Sequence, residues 1–344
     1  MKLAFIGTGK IIADALYAVE PIEELERTAI FARPHSRQKA EDFAREYGIK
    51  EIYTDYDQLL RESAADTVYI GLINSAHYSY GKKALLAGKN VIMEKPFTAT
   101  LEQAMDLKKT AEEHGVCIME AVTVLHNEIV DIMKENLPHL GRIKAALCNY
   151  SQYSSRYDNY LAGEVEHAFD PAFYGGALYD INIYNIHYLV ELFGAPERAV
   201  YFPNIGFNGI DTSGIAILTF PDFVASCTGA KDADSPGFIS IQGEKGYMKI
   251  NGKPNIAYSL DVEYANPDIT EKVKDEAGAM VRATIKKHFE AKRDHHRMTR
   301  EFRDFVRIMD GEDLKSAAKS LQESLDTISV LEEARTSAGI VFGE

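Results

Sequence analysis

KLAFIGTGKIIADALYAV, residues 2–19, contains a short apolar run, a glycine turn at Gly7-Thr8-Gly9, and an apolar-periodic segment over 11–19. An apolar run without alternation fits a strand covered on both faces, and the recurrence beyond Lys10 fits a helix. Strand, glycine turn and helix in that order leave backbone N–H groups free at a helix N-terminus, where a pyrophosphate can approach the chain. Gly7, Thr8, Gly9, Lys10 and Ile11 are therefore candidate cofactor contacts. The third small position of such turns holds Ile12, so the helix must move outward or rely on small neighbours such as Ala13 and Ala15. A plain strand-to-helix turn with no ligand is the alternative for this stretch alone.

Moving outward, a strand is expected over 28–32, about twenty residues past the turn, where an acid would hold a ribose hydroxyl. The chain instead reads Ala32-Arg33-Pro34-His35-Ser36-Arg37. A guanidinium fork matches a 2′-phosphate, so Arg33, Ser36 and Arg37 favour NADP over NAD; the other reading stacks Arg33 on an adenine. Helices over 36–47 and 57–62 alternate with strands at Ile52 and over 67–72, which implies a doubly wound parallel sheet. Residues 90–97, NVIMEKPF, form a further strand that stops at Glu94-Lys95-Pro96, because proline has no N–H for a ladder. Lys95 then stands at the carboxyl edge of the sheet, where open α/β sheets bind ligands, or else is a surface lysine snorkelling off the strand end. Glu94, a candidate cofactor contact at the same crevice, points to the opposite face from Lys95 and reads as a structural anchor rather than a catalyst. Asn74 and His77 share that edge, either as ligand contacts or as a turn and an early helix residue. Thr100 and Gln103 make a capping box for a helix ending near Gly115, and a strand over 116–120 completes a dinucleotide-binding half, residues 1–121.

Residues 122–344 read as an α+β domain. Strands are expected over 142–150, 213–220, 223–231, 238–243 and 247–250, with short turns at Pro221-Asp222 and Glu244-Lys245-Gly246 that suit an open, largely antiparallel sheet. Helices are expected over 127–136, 301–309 and 314–335, the last able to pack back on the first domain. The charged stretch 286–300, with His288, His295 and His296, reads as a solvated helix face or loop because its charges alternate in sign. Tyr153, Tyr157 and Tyr160 fit either a loop over a pocket or domain packing. In YGGALYDINIYNIH, residues 174–187, two glycines precede a helix on which Asp180 and Tyr184, four apart, share a face. A phenol is a poor base at neutral pH unless an ammonium lies near it, and Lys95 is the candidate ammonium.

The chain has 344 residues, enough for two domains, and 46% hydrophobic with 26% charged residues is a globular composition. A net charge of -14 argues against a nucleic-acid or anionic-membrane partner. Cys117, Cys148 and Cys227 are scattered, so neither a disulfide framework nor a zinc site is expected. With no signal-like or membrane-spanning run, a cytoplasmic protein is expected.

Taken together in order and spacing, Gly7-Thr8-Gly9, Asn74 with His77, Gly88-Lys89-Asn90-Val91 leading to Glu94-Lys95-Pro96, Gly175-Gly176 with Leu178 and Asp180, and the 335–339 ending resemble the Gfo/Idh/MocA family of oxidoreductases over nearly the full chain. The resemblance implies a Rossmann domain, a nicotinamide cofactor and a homo-oligomer, dimer or tetramer, formed through the second domain's sheet. It implies that Lys95 lies beside nicotinamide and substrate, and that Asp180 and the residue four on complete the site. With Tyr184 there, the chain is similar to the subgroup of glucose-fructose oxidoreductase, xylose dehydrogenases and dimeric dihydrodiol dehydrogenases. Ile12, Ile73 before Asn74, Asn182 for a usual glycine, and 121–128 without an aromatic-Arg-Phe-Pro pattern depart from the family. The expected reaction is hydride transfer to or from a CH–OH carbon of a sugar, polyol or dihydrodiol, with catalytic Lys95, Asp180 and Tyr184 and no metal. The rivals are an inactive nucleotide-sensing or regulatory protein of this fold, and an enzyme that cycles a bound cofactor for elimination or transfer between sugars.

Overall fold

The computed structural model describes residues 1–311 and 313–343. Six parallel strands, β1 (Lys2–Ile6), β2 (Glu26–Phe31), β3 (Glu51–Tyr53), β4 (Thr67–Ile70), β5 (Asn90–Glu94) and β6 (Ile118–Ala121), lie in the order β3-β2-β1-β4-β5-β6. Helices α1 (Lys10–Ala18), α2 (Arg37–Tyr47), α3 (Tyr56–Glu62), α4 (His77–Leu86) and α5 (Leu101–His114) connect them. This is the doubly wound sheet expected from residues 2–121, and its order reverses between β1 and β4, which opens the crevice at the carboxyl edge. The cap of α5 is as read, with Thr100 Oγ1 accepting from Gln103 N at 3.3 Å. Ile12 does not push α1 away. It is fully buried, and Gly71, just after β4, leaves the room: a Cβ there would stand 2.7 Å from Ile12 Cδ1.

The second half contains α6 (Glu128–Asn136), β7 (Ile143–Ser151), α7 (Tyr157–Leu161), α8 (Ile183–Phe193), β8 (Arg198–Ile205), β9 (Asp211–Thr219), β10 (Val224–Ala230), β11 (Phe238–Gly243), β12 (Gly246–Asn251), β13 (Ser259–Ala265), β14 (Lys272–Lys274), β15 (Met280–Arg282), β16 (Thr284–Glu290), α9 (Thr299–Asp310) and α10 (Leu314–Ser337). Its main sheet runs β16-β13-β12-β11-β7-β10-β9-β8 and is antiparallel except where β7 meets β10. Two of its edges go beyond the sequence expectation. β8 carries Pro203, which a central strand would not tolerate but an edge strand does. At the other edge, residues 284–290 pair with β13, so the first part of the charged stretch 286–300 is a strand, with Ile285 and Phe289 packed on the core and Lys286 and His288 outward.

The C-terminal helices join the halves. Met298, Phe302 and Phe305 belong to the same core as Leu3, Phe5 and Ile12, and the Phe302 ring meets Tyr69 edge-on at 5.2 Å. α10 packs against α5, β6, α8 and β8, and Leu101 N donates to Glu332 at 3.0 Å. Tyr153, Tyr157 and Tyr160 form an aromatic cluster with Phe169 and Phe207.

The start of the helix that carries Asp180 hangs on a buried acid. Asp211 accepts from Leu178 N at 2.6 Å and from the Tyr201 hydroxyl at 2.8 Å, and its other oxygen lies where a Cβ on Gly176, at φ 103°, would be. Burial pushes the Asp211 carboxyl up to about 6, above the ordinary aspartate value of 3.8. Because the folded state holds this proton more tightly, its stabilising contribution is full below pH ~4 and is lost as pH rises through about 6. Chemical denaturation from pH 4 to 7 should therefore show the wild type losing on the order of 2–3 kcal/mol that the Asp211→Asn protein does not lose. Parallel pH profiles for the two proteins would contradict it.

Candidate active site

At the carboxyl edge of β1, β4 and β5 lies a cavity of about 780 Å³. One end is built from the glycine turn: Gly7 has φ 123° and donates its N–H to Phe31 O at 2.9 Å, while Gly9 precedes α1 with no side-chain cap. A Cβ on Gly9 would meet nothing within 4 Å, and no side chain caps the first turn of α1, whose leading N–H groups have no partner within the helix. Gly7, Thr8, Gly9, Lys10 and Ile11 line the cavity, as do Arg33 and Ser36 at the end of β2. Among the described residues Arg33 has no ion-pair partner, which suits it to an incoming phosphate. These features fit a dinucleotide.

At the other end stand Glu94, Lys95 and Tyr184. β5 delivers Lys95, and the Lys95–Pro96 peptide is cis. Lys95 Nζ donates to Asp180 Oδ1 at 2.8 Å and to the Asp180 carbonyl at 2.9 Å, and lies 5.2 Å from the centre of the Tyr184 ring. Asp180 sits in one π-helical turn, residues Leu178–Asn182, that leads into α8. Such turns shift the register of the side chains on the helix, here turning Asp180 towards Lys95. Asp180 is not among the lining side chains. Its second oxygen is held at 2.8 Å by Lys231, a fully buried lysine just past β10 that the sequence reading missed. Lys231 also donates to Ala168 O at 2.5 Å and stands over the Phe169 ring at 4.4 Å. A lone lysine after a strand gives no signal in one sequence; only the folded neighbourhood reveals it.

Electrostatics follow from this array. Burial opposes the Lys95 charge, but Asp180 and then Tyr184 outweigh it and hold the ammonium above the usual lysine range. Burial likewise opposes the Asp180 carboxylate, and Lys231 with Lys95 more than compensates, holding it well below the usual carboxylate range. Two ammonium groups around one carboxylate leave a net positive charge in this array, with Lys95 over the Tyr184 ring. Glu94 accepts from the Tyr69 hydroxyl at 2.5 Å, and burial raises its pKa, so it anchors β5 to β4 while touching the cavity.

Three residues read as cofactor contacts lie off the lining. Asn74 donates to Tyr174 O at 2.9 Å, the one non-glycine residue with positive φ among those described. His77 is buried, with Nδ1 2.9 Å from Pro96 O and Nε2 3.2 Å from Leu72 O, and so braces the turn behind Lys95. Arg37 pairs with Glu41 at 2.8 Å on the outside of α2. Tyr153, Tyr157 and Tyr160 also lie off the cavity; Arg156 and His167, from the same loop region, line it instead. Arg297 and Glu301, from the stretch read as a solvated face and from α9, line it too. Among the described residues no cluster of His, Cys, Asp and Glu could hold a metal ion, and no helix is long and apolar enough to cross a membrane.

Comparison with known proteins gives the family. Residues 1–122 match the family model described as an oxidoreductase family with an NAD-binding Rossmann fold, and residues 138–249 match the GFO/IDH/MocA C-terminal domain. The chain is 29% identical to the scyllo-inositol 2-dehydrogenase (NADP(+)) of Bacillus subtilis (strain 168) over 99% of its own length and 98% of that protein's. It is 31% identical to an uncharacterized oxidoreductase of Escherichia coli (strain K12), covering 73% of this chain and 76% of the other. In fold it is similar to a 3-ketoreductase from Actinomadura kijaniata in complex with NADP and TDP-benzene, with TM-score 0.79, 24% identity and coverage of 98% and 97%. The chain therefore belongs to the Gfo/Idh/MocA family and is an NAD(P)-dependent oxidoreductase.

Proposed function

We propose that the protein moves a hydride between a nicotinamide cofactor and a CH–OH carbon of a polyol, sugar or dihydrodiol. The observation that carries this is the Lys95–Asp180 ion pair beside Tyr184 at the end of a dinucleotide-sized cavity. The names of its relatives, an inositol dehydrogenase and trans-1,2-dihydrobenzene-1,2-diol dehydrogenases, support the substrate class. Residues 1–121 serve the cofactor and 122–344 the substrate, with α9 and α10 returning to the first part. Exposed Leu147, Phe202, Ile215, Val224 and Tyr247 on the larger sheet support a homo-oligomer through that face, dimer or tetramer, and the proposed location is the cytoplasm.

The cofactor, when bound, supplies or accepts the hydride. Gly7 to Ile11 offer backbone N–H groups to its diphosphate, Arg33 and Ser36 its 2′-phosphate, and NADP is favoured over NAD. The Tyr184 hydroxyl exchanges a proton with the substrate hydroxyl. Lys95 stabilises negative charge on that phenol and on the substrate oxygen. Asp180 acts through Lys95, holding its ammonium in place, and Lys231 positions Asp180 by occupying the second carboxylate oxygen.

Polyols, aldoses and dihydrodiols offered with NADP and with NAD, followed by nicotinamide absorbance, test the function; no reduction across the panel would overturn it. With a substrate found, Lys95→Ala should abolish turnover while cofactor affinity, read by fluorescence, stays within about twofold. Arg33→Ala should weaken NADP binding by about 10–100-fold, the worth of a charge-assisted contact, and leave NAD binding nearly unchanged. Lys231→Met should lower kcat by about tenfold or more and move the pH profile of kcat, with KM for cofactor unchanged. A folded Lys231→Met protein with the wild-type pH profile would reduce Lys231 to packing.

A further inference from the structure

A second cavity, of about 340 Å³, adjoins the catalytic one, and Thr123 and Arg297 line both. Its wall carries Lys292, Arg293, Arg297, Arg300 and Arg303 against two acids, Glu128 and Asp294. Both acids are already engaged: Asp294 pairs with Arg303, and Glu128 lies 4.0 Å from Arg300, which also pairs with Asp131 at 2.9 Å. Lys292, Arg293 and Arg297 have no carboxylate partner among the described residues. The Arg293 guanidinium lies 5.0 Å from the Tyr258 ring centre. In a chain of net charge -14, this is a local reversal of sign at the edge of the active site.

The same wall holds two buried polar atoms without partners. His126 is 7% exposed and its Nδ1 is 3.0 Å from the Asp304 carboxylate, which makes Nδ1 the donor and leaves Nε2 with nothing to bond. Asn255 Oδ1 is likewise without a donor. Both residues line the cavity, but neither atom is open to it, so the recognition of an anion rests on the cations of the wall.

We propose that this cavity is a subsite for an anionic group, phosphate or carboxylate, carried by a hydroxylated substrate whose reacting carbon lies at Lys95 and Tyr184. The inference rests on the catalytic assignment above and narrows its substrate class from neutral polyols to sugar phosphates or sugar acids. Arg297, at the junction, reaches both cavities and feels Glu94 and Glu301 on the catalytic side, while Arg293 and His126 belong to the second alone.

The test is binding, not turnover. Protein saturated with NADP, so that the glycine turn and Arg33 are covered, is titrated calorimetrically with inorganic phosphate, a hexose phosphate, a hexonate and the neutral hexose. The expected result is saturable one-to-one binding of at least one anionic sugar, weakened by raised salt and about tenfold by Arg293→Met, with NADP affinity unchanged. Lys292→Gln, at an exposed position, should weaken it in the same direction and guards against a folding defect in the first variant. Binding of the hexose phosphate with competition from inorganic phosphate identifies a phosphate group; binding of the hexonate alone identifies a carboxylate. The absence of saturable anion binding, or equal affinity in the wild type and both variants, would overturn the subsite. Neutral polyols turned over by a protein that binds no anion would remove the subsite and leave the proposed function standing; an anionic sugar bound without turnover of any substrate would do the reverse.

Discussion

Three charges from three parts of the chain hold the site together: Lys95 from the edge of the parallel sheet, Asp180 from a turn of the second half, and Lys231 from just past β10. Removing charges from water is costly, and such an array persists only when each ion has its partners in good geometry. Here each oxygen of one carboxylate meets one ammonium at 2.8 Å. The arrangement therefore demands that the two halves sit in one relative position. It also leaves an excess positive charge where the proposed chemistry needs to stabilise oxygen anions.

That position is protected by fitting large groups into places left by glycine. Ile12 fills the space at Gly71, Asn182 packs against Gly229, where a Cβ would come within 2.7 Å, and Asp211 occupies the place of a side chain on Gly176. The two departures from family pattern at 12 and 182 are thus matched by small residues on the facing strand ends. In the second case Asn182 also donates to Cys227 O at 2.8 Å and accepts from Asn185, which ties the active-site turn to β10, the strand that leads to Lys231. Close packing makes such exchanges local, because volume added at one position has to be removed from its neighbour.

Much of the first half was legible because its signals are local. The glycine turn, the strand ending at Glu94-Lys95-Pro96 and the cap at Thr100 each depend on a few adjacent residues, and the parallel order follows from the alternation of strands and helices. The second half was less legible. β8 was hidden by Pro203, whose tolerance depends on lying at a sheet edge. β16 was hidden by charges that belong to its outward face. Asn74 and His77 stand where ligand contacts were expected, yet their side chains are spent on the backbone of Tyr174, Pro96 and Leu72.

The amino-acid sequence by itself determined the two-part architecture, the nucleotide turn and the candidates Lys95, Asp180 and Tyr184, since periodicity, turn chemistry and helical spacing are properties of neighbouring residues. Only the tertiary structure decided that Lys231 completes the ion array, that Asp180 is bonded to Lys95, and that Arg297 faces the cavities while Asn74, His77 and Arg37 do not. The ion array joins residues about 50 to 85 positions apart, Asp180 with Lys231 and Lys95 with Asp180, and a contact at that separation depends on how the two sheets pack, not on any local preference of the chain.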